Sequence, residues 1–479
     1  MKILISDSLS PRGVEVLQQA GYTADVKTKL PKEQLLEEIK TYDGIIVRSA
    51  TKITAEVIEA GSQRKIIGRA GTGLDNVDKE AATRRGIVVM NTPGGNTITT
   101  AEHSIALLVA MSRKIPQATA STKSGKWEKS KFMGTELYNK TLGLVGLGQI
   151  GSVVTKLAQG LSINVIGYDP LLAQERAKEM GIDAVDLPEL FRRSDFISVH
   201  APLTNETRGI INAEAIKQMK DGVMIVNCAR GGIINEQDIY EALKSNKVAS
   251  AAFDVFEEEP VKPDHPLLTL DNFICSPHIG ASTEEAQENV AVAIAEQFVD
   301  YFKKGGARGA VNVPSVPPEV LPQLQPYLVL AERMGLFQSQ LIDAGIEQIT
   351  VEYCGDVANL STAPLTVAVL KGLFAPILES VVNAVNAPFI AKKRGIEAKE
   401  IKSSDAGEYT SLIRIHVQAG KQSHQLAGTL YHKKEPRIVE SNAYPVEVIP
   451  EGFMLMIYNK DRPGVIGAVG RVLGGQNVN

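Results

Sequence analysis

The segment GLVGLGQIG, residues 143–151, most narrows what this chain can fold into. Gly146, Gly148 and Gly151 form a G-x-G-x-x-G triplet directly after an apolar, strand-like run. Apolar residues at Ile150, Val153, Val154, Leu157 and Leu161 then mark one face of a following helix. Glycines at these positions let backbone amides approach a pyrophosphate at the positive end of that helix. The next strand pattern ends in GYDP, which puts Asp169 18 residues beyond Gly151. A carboxylate there can bind the adenosine ribose hydroxyls and repel a 2′-phosphate. No arginine follows it closely, so the pattern favours NAD over NADP.

The triplet sits inside a longer alternation. KILISD, GIIVRSA, KIIGRAG and IVVMNTP read as buried strands, with PRGVEVLQQAG and PKEQLLEEIKTYDG as helices among them. A long helical pattern, TTAEHSIALLVAMSRKIPQATASTKSGKW, follows. A second series then supplies six strands: KTLGLVGLG, INVIGYDP, DFISVHAPL, DGVMIVNCARGG, ASAAFDVF and NFICSPH. Such alternation predicts α/β architecture with doubly wound parallel sheets. Ser282 and Glu285 read as a capping box opening the next helix, whose buried stripe is Val290, Ile294, Phe298 and Phe302. KKGGARGAVNVPSVPPEVLPQ, rich in Gly and Pro, reads as a linker.

A chain of 479 residues is too long for one core. Its net charge of −4 gives no reason to expect nucleic acid or an acidic membrane as partner, so any bound anion needs a local cluster of cations. Cys228, Cys275 and Cys354 have no metal-ligand spacing, which suggests free thiols, a reducing cytoplasmic setting and no metal site. No run approaches the roughly 20 apolar residues that span a bilayer, and no signal peptide is evident.

Chemistry-bearing residues gather after the later strands, the edge where doubly wound sheets place ligands. Arg230 follows one strand in NCARGG, Asp254 and Glu259 follow another in FDVFEEEP, and His278 follows the last in CSPH. Singly each is an ordinary loop residue. Together they meet the needs of hydride removal from a hydroxy acid. Histidine suits the base that takes the hydroxyl proton, and a carboxylate neighbour would fix its ring. An arginine can grip a substrate carboxylate and polarise the carbonyl oxygen.

The chain resembles the D-isomer-specific 2-hydroxyacid dehydrogenases over nearly its whole length. The resemblance rests on VRSATKIT, GRAGTGLDNVD, VMNTPGGNT, KWEKSKFMGTEL, GLVGLGQIG, NCARGG, FDVFEEEP and CSPHIGAST, in the family's order. Several of these segments are typical of the branch that oxidises 3-phosphoglycerate to 3-phosphonooxypyruvate with NAD, opening serine biosynthesis. The resemblance implies a flavodoxin-like substrate domain (1–97 and 286–312), a Rossmann NAD domain (98–285), an α+β intervening domain (313–448) and a partial ACT-like βα segment (449–479). It makes His278 the general acid/base, Glu259 its partner and Arg230 the substrate-orienting cation. Gly146, Gly148, Gln149, Ile150, Gly151, Asp169, Thr72, Ala201, Cys228, Ala229, Asp254, Gly280 and Ala281 would meet the cofactor. Arg48, Arg69 and Asn96 would hold the substrate's phosphate end, with Lys129 or Lys131 reaching in from a neighbouring subunit of a homo-oligomer, dimer or tetramer.

The remaining histidines, 103, 200, 265, 416, 424 and 432, have no carboxylate partner by motif, and Cys228 reads as a packing residue. GFMLMIYNKDRPGVIGAVGRVLGGQNVN reads as strand, turn and helix, the start of an ACT module that would need about 40 further residues. Asn459, Asp461 and Asn479 match positions that bind serine as an effector in relatives. Two alternatives stand beside the phosphoglycerate reading. One is a sister reductase acting on hydroxypyruvate, glyoxylate or 2-oxoglutarate. The other is an NAD-sensing regulatory protein on the same fold.

Overall fold

The computed structural model describes residues 1–61, 65–316, 319–378, 381–460 and 462–477. They form two compact units, Met1–Ser315 and Val316–Asn479.

The first unit contains two all-parallel sheets. One is built from β1 (Lys2–Ile5), β2 (Thr23–Val26), β3 (Gly44–Val47), β4 (Ile66–Arg69) and β5 (Val88–Asn91). Its order is β2-β1-β3-β4-β5, the flavodoxin-like winding, with a switch point between β1 and β3. Apolar runs such as GIIV, buried along their whole length, explain the central strands. β2 carries Thr and Asp on a half-exposed edge and escapes a reading based on apolar runs.

The second sheet comprises β6 (Thr141–Val145), β7 (Asn164–Tyr168), β8 (Asp183–Ala184), β9 (Phe196–Val199), β10 (Val223–Asn227), β11 (Val248–Phe253) and β12 (Phe273–Cys275). The order β12-β11-β10-β9-β6-β7-β8 is the dinucleotide-binding winding with one strand added, and it reverses between β6 and β9. The six expected strands are present. The seventh, β8, has only two residues and left no periodic signal.

Three local expectations need correction. The long helical pattern after residue 96 is two helices, Thr97–Ser112 and Ile115–Lys123, separated where Lys114 takes a left-handed φ of 53° and Pro116 opens the second. The helix after β12 begins at Glu284, and its cap is Thr283, which accepts from the Ala286 amide. Ser282 and Glu285 therefore form no capping box, because the register starts one residue later. Part of the expected linker is docked: Val311 donates to Val89 O, and Asn312 accepts from the Val89 amide. Helix Glu284–Lys304 packs on helix Pro11–Gln19, β4 and β5, with Val290, Ile294 and Phe298 buried.

In the second unit, β13 (Ile346–Gly355), β14 (Glu397–Ser403), β15 (Ser411–Ala419), β16 (Gln422–Tyr431), β17 (Glu435–Ser441) and β18 (Tyr444–Val448) form one mixed sheet. Its order is β14-β13-β15-β16-β17-β18, with only β13 and β14 parallel. Helices Leu321–Ser339 and Ala363–Phe374 pack against each other and enclose a core that includes Leu330, Met334, Tyr353, Val369 and Ile415. The closing helix Val465–Gly475 forms, but residues 453–460 are exposed and pair with no described strand. A strand needs a hydrogen-bonded neighbour, so the apolar run alone does not make one. Asn459 lies in this stretch; Asp461 and Asn479 lie outside the described residues. No helix among the described residues is long and apolar enough to cross a membrane.

Candidate active site

The register of the second sheet sets the site. Asn227, Phe253 and Cys275 stand side by side on β10, β11 and β12. Parallel strands about 4.8 Å apart therefore deliver Arg230, Asp254 and His278 to one edge. His278 Nδ1 lies 2.7 Å from Glu259 Oε2. Glu259 Oε1 also accepts from the Phe256 amide at 3.1 Å. Burial pushes the Glu259 carboxyl up, but the bonds from His278 and the Phe256 amide outweigh it and hold the group below its ordinary value. An ionised carboxylate only accepts, so Nδ1 carries the hydrogen and Nε2 keeps the lone pair. His278 sits at a φ of 54°, a left-handed conformation uncommon outside glycine. Its own amide donates to Asp254 O at 2.8 Å, which holds the turn in place.

Asp254 organises this loop from below. Its side chain is 1% exposed and accepts from Ser276 Oγ (2.6 Å), the Ile279 amide (2.9 Å) and the Gly280 amide (2.8 Å). Burial raises its pKa, and hydrogen bonds from His103, Ser276 and those amides lower it further than burial lifts it. His103 Nε2, on helix Thr97–Ser112, lies 3.1 Å from Ser276 Oγ and 3.3 Å from Asp254 Oδ1. No motif pairs the other histidines with a carboxylate, yet the fold gives His103 one. It gives His265 one as well, Glu236 at 3.0 Å. Both contacts join residues far apart in sequence. One signal was available: His103 shares the helix face of Thr100, Ser104 and Leu107, and those three are buried. His200 is half-buried against Ser198, and desolvation pushes it down to about 4, so it stays neutral.

Arg230 is held by Asp75 Oδ2 (3.0 Å) and by Ala229 O (2.6 Å). Buried Asn227 fixes this turn from both sides, accepting from the Ala229 amide and donating to Arg230 O. Neither Asp75 nor Asn227 was anticipated from the sequence. Arg69 is largely desolvated, and its Nε has no partner among the described residues. Burial first, then the charges of Arg230 and Arg48, push its pKa down to about 10. Three arginines that feel one another's charge, with one donor unsatisfied, make a site suited to an anion. Thr72 Oγ1 donates to Asn96 Oδ1 at 2.7 Å, so these two expected contacts meet. Lys129 and Lys131 occupy an exposed 3₁₀ turn, over the Trp127 and Phe132 rings respectively.

The glycine triplet fits a dinucleotide. Gly146 has a φ of 97°, and a Cβ there would sit 2.8 Å from the Ala201 amide nitrogen. Gly148 opens helix Gln149–Gly160 and faces clear space, so backbone can approach a ligand. Gly151 lies against the Gly146 carbonyl. Asp169 accepts one amide on each oxygen, from Leu147 and Leu171, both at 2.9 Å. A carboxylate has about four acceptor sites, which leaves capacity for two ribose hydroxyls. Gln149 reaches Thr97 Oγ1, and Ile150 packs behind the turn. Cys228 is buried beside Ser104, and burial pushes its thiol up to about 12, which makes it a neutral packing group. Gly280 is buried against Asp254, with Ala281 following it.

A protein of Archaeoglobus fulgidus named D-3-phosphoglycerate dehydrogenase is 47% identical over 479 residues, spanning 100% of this chain and 91% of that protein. This chain belongs to the D-3-phosphoglycerate dehydrogenase family. A Methanocaldococcus jannaschii protein of the same name is 46% identical, again over 100% of this chain and 91% of its own length. Residues 105–280 match the D-isomer specific 2-hydroxyacid dehydrogenase, NAD binding domain, and residues 323–442 match the D-3-phosphoglycerate dehydrogenase intervening domain. Among solved structures, NAD+-bound 3-phosphoglycerate dehydrogenase of Entamoeba histolytica aligns at 35% identity with a TM-score of 0.55. It covers 65% of this chain and 98% of that one. The match at residues 105–280 spans the Gly146–Gly151 turn and the strand ends that carry Arg230, Asp254 and His278.

Proposed function

We propose that this chain oxidises D-3-phosphoglycerate to 3-phosphonooxypyruvate with NAD, the opening step of L-serine synthesis. NAD, when bound on the Gly146–Gly151 turn with Asp169 at its ribose, supplies the hydride acceptor. His278 Nε2 takes the proton of the C2 hydroxyl as hydride leaves C2, and Glu259 stabilises the imidazolium that results. Arg230 grips the substrate carboxylate and polarises the forming carbonyl. Arg69, Arg48 and Asn96 take the phosphate end. Asp254 holds the His278 loop, and by the family resemblance it would lie on the nicotinamide side of the cofactor site.

The observation that carries the choice of a phosphorylated acid is the under-neutralised arginine cluster. Burial first, and then the charges of Arg230 and Arg48, disfavour the charged form of Arg69, a cost that a phosphate dianion would offset. On this reading the protein works in the cytoplasm as a homo-oligomer, and Lys129 or Lys131 completes the phosphate site of a neighbouring subunit. Feedback by L-serine through Asn459 and its neighbours is a further expectation.

The deciding experiment follows NADH oxidation with 3-phosphonooxypyruvate, hydroxypyruvate and 2-oxoglutarate side by side. The phosphorylated acid should have the highest kcat/KM. Equal or better turnover of an unphosphorylated acid refutes the assignment, and no turnover of any refutes the enzyme reading.

A further inference from the structure

The loop that presents Glu259 has little structure of its own. Between Phe256 and the 3₁₀ turn Pro266–Thr269 it forms neither helix nor strand, and Glu257–Pro260 and Lys262–Asp264 are exposed. A segment with so few buried contacts needs an anchor if Glu259 is to stay 2.7 Å from His278.

Glu236 supplies that anchor. It opens helix Glu236–Lys244, six residues past Arg230 on the turn that follows β10. Its Oε1 accepts from the Glu257 amide at 2.6 Å, and its Oε2 lies 3.0 Å from His265 Nε2. One carboxylate thus grips the loop just before Glu259 and again six residues after it. The Glu236 and His265 side chains are 13% and 21% exposed, against 38% and 45% for Glu259 and His278, so water competes less for their bond. His265 Nδ1 is buried with no partner among the described residues, which leaves Glu236 as the ring's polar contact. The ring also meets Phe256 edge-on at 5.7 Å between centroids, and the Phe256 amide donates to Glu259. Gly231, next to Arg230, lies so close to the Phe256–Glu257 peptide that a Cβ there would clash with it.

We propose that Glu236 and His265 are positioning residues, a bridge between the Arg230 turn and the Glu259 loop that holds Glu259 on His278. The bridge keeps the proton acceptor in register with the cation that orients the substrate. This inference rests on the reading of His278 and Glu259 as the proton-transfer pair. A catalytic group displaced by about 1 Å can lose about 10²-fold in rate. Because the bridge acts on the loop, its removal lowers turnover and leaves the binding of cofactor and substrate nearly as it was.

A double-mutant cycle on the full-length protein tests this, with NAD and D-3-phosphoglycerate or, should that substrate fail, the acid the chain turns over best. Glu236→Ala should lower kcat about 10- to 100-fold, with both KM values within about threefold of native. In a Glu259→Gln background the same change should cost no more than about twofold, because the group it positions is already lost. Glu236→Gln keeps an oxygen for the Glu257 amide but turns an NH2 toward His265, so its kcat should fall between native and Glu236→Ala. An equal loss in both backgrounds overturns the inference and leaves the His278–Glu259 reading standing. So does a raised KM with kcat spared. Native kcat in Glu259→Gln alone removes the reading on which the inference rests, and the inference with it. If Glu236→Ala fails to fold, His265→Ala takes its place in the cycle and is judged by the same outcomes.

Discussion

His278 and Glu259 meet at 2.7 Å although 19 residues separate them, because β12 returns beside β11 and brings the two loops together. The carboxylate fixes both the ring's orientation and its hydrogen. Glu259→Gln keeps the shape but removes the charge that stabilises imidazolium. Steady-state kinetics should show kcat down about 10²–10⁴-fold with KM for D-3-phosphoglycerate little changed. A variant that raised KM and spared kcat would make Glu259 a binding residue instead.

Asp254 and His103 act through the loop that carries His278. Asp254→Asn replaces an acceptor of three hydrogen bonds by an amide that cannot accept them all, so kcat should fall and thermal stability should drop by roughly 1–3 kcal/mol. Asp254 is held below its ordinary range, so its contribution is present above the unfolded carboxyl value and is lost as pH falls through the folded one. The stability gap between native and variant protein should therefore be full at pH 7 and close in acid, below about pH 4. Denaturant melts at pH 3 and 7 measure it. His103→Gln, which retains a donor, should lose less activity than His103→Ala.

Arg69 is the reverse case, a cation that costs stability until its ligand arrives. Arg69→Met should raise the melting temperature of the ligand-free protein by a few degrees, consistent with roughly 1–2 kcal/mol for removing a buried cation without full pairing. The same change should raise KM for D-3-phosphoglycerate by about tenfold or more, since charge-assisted contacts to phosphate are lost. Calorimetric scanning and initial rates test the two halves separately. A variant less stable than the native chain would show that Arg69 serves structure first.

Asp169 is the residue we propose sets cofactor choice. Asp169→Ala removes a hydrogen-bonding charge from the ribose site, so KM for NAD should rise about 10- to 100-fold. NADP turnover should improve relative to NAD, because the repulsion of a 2′-phosphate goes with the carboxylate. Unchanged discrimination would place the selectivity elsewhere.

What the sequence revealed and what it hid follow one physical division. Buried parallel strands are continuous apolar runs, so β1, β3 to β7 and β9 to β12 were legible, and with them the residues that end them. The edge strand β2 is half exposed, and β8 is two residues long, so neither carried that signal. The break at Lys114 depends on one left-handed residue, and the cap at Thr283 on a one-residue register; periodicity sees neither. Within the site, strand ends announced Arg230, Asp254 and His278. Their supports did not announce themselves. Asp75 reaches Arg230 across 155 residues and His103 reaches Ser276 across 173, contacts that exist only once two sheets and a connecting helix are in place.

The most direct test of the account is His278→Ala, measured for turnover and for cofactor binding on one preparation. Turnover of D-3-phosphoglycerate should fall by at least about 10²–10⁴-fold, the loss expected for a general base. The dissociation constant for NADH, read by fluorescence titration, should stay within a few-fold of native, since the Gly146–Gly151 turn and Asp169 are untouched. Turnover near the native rate with intact NADH binding would contradict the central claim that His278 moves the proton.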